Sequence, residues 1–74
     1  MELPKYRLAD IHEMIYWGQA KTYTITDKYH VYIVHDMHDP KVVTGYYALE
    51  NGTEKLTGIP NTSQLNKFLR SKSR

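Results

Sequence analysis

The sequence predicts an α+β domain: one antiparallel meander sheet of three to four strands, with one helix before it and one after it, in the order α-β-β-β-β-α. Three observations predict this. Apolar residues recur at helical spacing near both ends, the stretch between them alternates β-branched and aromatic residues, and Asn51-Gly52 supplies a hairpin signal. With 74 residues and no cysteine, the chain has room for one core and no disulfide to support it, so residues 1–74 read as a single domain.

The first helix is expected from Tyr6 to Gln19, where Leu8, Ile11, Met14, Ile15 and, at the far end, Trp17 recur while Asp10 and Glu13 fall between them. Gly18 weakens that pattern near its end. From Lys21 to Asp36 the period becomes two: Thr22 to Thr26 and Tyr29 to His35 read as a hairpin broken near Asp27-Lys28. A two-residue loop places Ile25 opposite His30. A three-residue loop places it opposite Val31 and unites Tyr23, Ile25, Val31 and Ile33 on one face, which is the better reading on hydrophobic grounds.

Asp36 to Pro40 is a polar turn, with Pro40 fixing φ. A third strand, Val42 to Glu50, leads into Asn51-Gly52. A two-residue type I′ loop there pairs Leu49 with Glu54 and Tyr47 with Leu56, and gathers Val43, Tyr47, Leu49 and Leu56 on one face. Gly58-Ile59-Pro60 ends the hairpin. Asn61 followed by Gln64 is a helix start, and Leu65, Phe68 and Leu69 form the apolar stripe of the last helix, with residues 70–74 a fraying basic tail. Both helices are expected on the same face of the sheet. The opposite face then shows some of His30, Tyr32, Val34, Tyr46 and Ala48 to solvent or a partner.

The formal net charge of +2 conceals an asymmetry. Residues 1–54 carry five Lys/Arg against all eight acids, a net of −3, whereas residues 55–74 carry five basic residues and no acid. Such a segment suggests an interaction tail or nucleic-acid contact. Tyrosine is abundant, seven copies against one Phe and one Trp, and an amphipathic ring suits both a half-buried sheet and a binding surface.

Chemistry is poorly represented. There is no G-x-S-x-G, no phosphate-cradling glycine loop and no cysteine nucleophile. His12-Glu13-Met14-Ile15-Tyr16 opens like a helical zinc-protease motif but places Tyr where the second imidazole must stand. His35 and His38, beside Asp36 and Asp39, are the candidate metal ligands, yet they match no ligand spacing and read as a solvated polar turn. The expectation is a non-enzymatic protein with no cofactor and no resident metal.

No window approaches the ~18 apolar residues of a membrane span and no N-terminal run resembles a signal peptide, so no membrane partner and a cytoplasmic location are expected. The leading functional expectation is a protein-interaction module, an adaptor or inhibitor, whose uncovered sheet face carries Tyr32 and Tyr46 with His30 nearby. Its partner is another protein or a second copy in a homodimer. The alternative is nucleic-acid binding through Lys67, Arg70, Lys72 and Arg74.

In topology alone, helix, antiparallel strands, helix resembles the double-stranded-RNA-binding fold. That family has a lysine-rich cluster where this chain has Asn61-Thr62-Ser63-Gln64. The last four elements are similar to the arm-type DNA-binding domains of tyrosine recombinases, but here Lys28, Lys41 and Lys55 are offset by neighbouring acids.

Overall fold

A computed structural model describes residues 5–72. The order is α-β-β-β-β-α: helix α1 (Leu8–Tyr16), strands β1 (Ala20–Ile25), β2 (Tyr29–His35), β3 (Val43–Glu50) and β4 (Leu56–Ile59), then helix α2 (Thr62–Lys72). The strands form one antiparallel sheet in the order β1-β2-β3-β4.

Local chemistry fixes the helix ends. At the start of α1 the Arg7 N–H donates to Asp10 Oδ2 at 2.9 Å. The helix stops before Gln19 because Gly18 takes φ +80°, and the Gly18 and Gln19 N–H groups then donate to the Ile15 and Met14 carbonyls at 3.1 and 2.8 Å. This is a Schellman closure, for which glycine is suited because it lacks the Cβ that penalises positive φ. At α2, Asn61 Oδ1 accepts the Gln64 N–H at 2.9 Å, the cap its sequence suggests. The helix continues through Arg70 to Lys72, into the segment expected to fray.

The placement of the two helices differs from expectation. They lie on opposite faces of the sheet. Ile11 of α1 packs with Ala20, Tyr32, Val34, Tyr47 and Leu49, joined by Tyr6, Leu8, Met14 and Leu56. Leu65 of α2 packs with Val31, Tyr46, Ala48 and Ile59, joined by Tyr29, Ile33, Phe68 and Leu69. Alternation along β2 and β3 sends successive side chains into these two clusters, so the continuous run Gly45 to Leu49 is buried. Ile11 and Leu65 are wholly enclosed, each contributing roughly 1.5–3 kcal/mol of burial. Ile15 and Val43, expected in the core, are exposed instead.

Two strand registers are also corrected. The β1–β2 loop is the two-residue one: the Thr26 N–H donates to the Tyr29 carbonyl at 2.7 Å, the Tyr29 N–H donates to Thr26 Oγ1 at 2.9 Å, and Ile25 faces His30. A bulge between Thr22 and Thr24 then inserts Tyr23, whose ring stands edge-on to Tyr46 at 5.1 Å. Tyr23 thus reaches the α2 side with Val31 and Ile33, while Ile25 does not.

At the second hairpin Leu49 pairs with Leu56 and Tyr47 with Gly58, two residues from the expected register. Gly52 alone has positive φ, +81°, whereas a type I′ turn needs it at both central positions. Asn51 is held otherwise: its N–H donates to the Lys28 carbonyl and its Nδ2 to the Asp27 carbonyl, both at 2.9 Å. A shift of two preserves side-chain parity, so Tyr47, Leu49 and Leu56 still share a face.

Candidate functional site

The residues expected to form an open tyrosine surface are neither open nor together. Tyr32 and Tyr46 are each only 7% exposed. Tyr32 points to the α1 side, and Tyr46 to the α2 side, where its hydroxyl shares a 2.9 Å hydrogen bond with the Thr62 hydroxyl. His30, half-buried, sits opposite Ile25 and Leu49 on the Tyr32 side. The physical reason is that each face has its own helix, with Tyr32 packed in the cluster under α1 and Tyr46 in the cluster under α2.

Lys67 and Arg70 are exposed on α2, away from the Leu65, Phe68 and Leu69 positions that cover the sheet. Lys72 closes the helix; its side chain and Arg74 lie outside the described residues. His35 and His38 flank a turn whose carboxylates serve the backbone. Asp36 Oδ1 accepts the His38 and Asp39 N–H groups at 2.8 and 3.2 Å, and Asp39 Oδ1 accepts the Lys41 N–H at 3.0 Å. Among the described residues, no three His, Asp or Glu side chains are grouped to hold a metal ion. His35 Nδ1 is buried with no hydrogen-bond partner among those residues.

The feature that stands out lies between α1 and the 36–42 loop. There an open groove of about 860 Å³ is lined on its apolar side by Tyr6, Met14, Trp17, Met37 and Pro40. Two of its apolar side chains are largely solvated, Trp17 at 73% and Met37 at 74% exposed; Tyr16, beside Trp17 in the chain, is 79% exposed. The Tyr16 and Trp17 rings stand edge-to-face with centroids 5.1 Å apart, which pre-orients two large rings before anything binds. The 36–42 loop is held in shape by its Asp turns and by the Asp36 N–H donating to the Val42 carbonyl at 2.8 Å.

Helical periodicity assigns Trp17 to the buried stripe of α1, which is why the sequence does not reveal this surface. The signal that could have found it is Gly18: a helix closed at Gly18 leaves Trp17 on the cap rather than on the packed face. Behind the groove, Tyr47 stacks edge-on to Tyr6 at 5.2 Å. Burial, with a smaller contribution from Tyr6, raises the Tyr47 phenol above the ordinary tyrosine value of 10.0.

Comparison of the chain with protein-family models, with curated proteins and with solved structures gives no match. No helix among the described residues is long and apolar enough to cross a membrane.

Proposed function

We propose that the protein is a small, non-enzymatic protein-interaction module of the cytoplasm that engages its partner through the groove between α1 and the 36–42 loop. The observation that carries this reading is the exposure of Trp17 and Met37 on the two sides of one groove. Indole and phenol rings give large contact area at low entropic cost and are enriched among the residues that dominate binding energy. A volume of about 860 Å³ falls within the range of sites that enclose a ligand or a few side chains, roughly 300–1,000 Å³.

The test is capture with immobilised wild-type protein and the Trp17→Ala variant, followed by reconstitution of each retained protein in purified form. A partner held by the wild type and released by Trp17→Ala, with the variant's circular dichroism unchanged, supports the reading. If every retained protein binds both forms equally, the groove is not the interaction surface. Sedimentation of the wild type and the variant identifies a second copy of the chain as the partner if self-association is lost with the indole.

A second reading, nucleic-acid binding by α2, is favoured by one observation: α2 has no acid in its first turn and carries Lys67 and Arg70 on its exposed side. If Lys67, Arg70, Lys72 and Arg74 all meet phosphates, the affinity for duplex DNA falls with salt along a log–log slope of about −3.6. No binding of DNA or RNA at low salt removes this reading.

A further inference from the structure

We infer that the groove selects a cationic side chain, so that the partner presents an arginine or lysine to it from an exposed segment. The inference rests on the protein-binding reading above and adds the chemistry of the occupant. Three carboxylates, Asp10, Glu13 and Asp36, line the groove against one ammonium, that of Lys5, and one imidazole, that of His35. Asp10 and Asp36 already accept backbone N–H groups of their own turns. Those bonds fix the carboxylates in place while leaving their charge.

The backbone adds to the same sign. Trp17, Gly18 and Gln19, at the C-terminal end of α1, form part of the lining, and the last turn of α1 contains no basic residue. The partial negative charge of that helix end is therefore left without a cationic side chain from its own helix. Next to it stand the aromatic side chains of Trp17 and Tyr6. An aromatic wall beside carboxylates is what an alkyl-linked cation requires: the stem packs on the apolar side chains, while the head meets π-electron density and negative charge. An acidic side chain placed there meets like charge, and a neutral polar one loses solvation with less in return.

Trp17 is the single tryptophan of the chain, so its fluorescence reports directly on the groove. The experiment titrates the full chain with three capped hexapeptides of alanine and serine that carry two arginines, two glutamines or two glutamates at the same positions. Each titration is followed by tryptophan emission and by calorimetry. The expected result is saturable binding of the arginine peptide, at least about tenfold weaker binding of the glutamine peptide and none of the glutamate peptide. Glu13→Lys, at an exposed position, should weaken the arginine peptide by at least about tenfold with the fold unchanged.

Equal binding of the arginine and glutamine peptides, or arginine binding that survives Glu13→Lys, overturns the charge selection and leaves the groove as an interaction site. An arginine peptide that does not bind, set beside a protein partner that is lost with Trp17→Ala, likewise overturns the selection alone. If no peptide binds and no partner depends on Trp17, both readings fall.

Discussion

The Tyr46 hydroxyl and the Thr62 hydroxyl share a 2.9 Å hydrogen bond that joins the centre of β3 to the first residue of α2. It ties the sheet to the helix that covers it, and it turns a tyrosine with the alternation of a surface residue into a core residue. Tyr46 also receives the Tyr23 ring edge-on, so three elements meet at one side chain.

Tyr46→Phe should therefore remove one hydrogen bond and keep the ring, costing about 1 kcal/mol. Tyr46→Ala should leave a cavity under α2 and cost roughly 3–5 kcal/mol. Urea unfolding of the two variants checks the pair: equal losses would show that the hydroxyl, and not the ring, carries the contact.

Gly18→Ala probes the closure of α1. A Cβ at Gly18 meets nothing within 4 Å, so the cost is that of φ +80° alone. We expect a loss of about 1–2 kcal/mol, recovered in part by Gly18→Asn, which tolerates the left-handed region better. Thermal denaturation measures both. A neutral Gly18→Ala variant would mean that α1 does not close in the Schellman form.

Trp17→Ala should separate binding from stability. Since the indole is largely solvated, the variant should unfold within about 0.5 kcal/mol of the wild type. For an anchor residue, binding of a Trp17-dependent partner should fall by about 2 kcal/mol or more, near thirtyfold. A large loss of stability with binding preserved would assign Trp17 to packing.

The raised pKa of Tyr47 makes a prediction about alkaline pH. Burial, then the neighbouring Tyr6, disfavours the phenolate in the folded chain. Between the unfolded and the folded pKa the native state holds the proton that the unfolded state has released, so stability falls as pH rises. The contribution is full below the ordinary value of 10.0 and is lost as the pH passes up through the folded value. Tyr47→Phe should remove this part of the alkaline slope. Denaturant titrations at a series of alkaline pH values, alongside ultraviolet absorbance of the phenolate, test it.

How far the sequence reaches is visible in particular residues. Asn61 and Gln64 announced the start of α2, and the cap is made by Asn61 Oδ1 as expected. The period of two from Tyr29 to His35 announced β2. Local chemistry sets these features, and local chemistry is written in neighbouring residues. The registers were less legible because they depend on partners distant in the chain: Asn51 shapes its own turn by holding carbonyls of the β1–β2 loop, and the Tyr23 bulge answers to Tyr46.

By itself, the sequence determined the element order, the strand and helix periods, the cap of α2, and the division between an acidic body and a basic end. Only the tertiary structure decided that the helices take opposite faces, and with that the burial of Tyr32 and Tyr46. The physical reason is that β2 and β3 carry apolar side chains on both sides of the pleat, so two faces had to be withdrawn from water and one helix was available for each. Tyr32 and Tyr46 were thereby enclosed, and Trp17, beyond the end of α1, was left in solvent beside the groove.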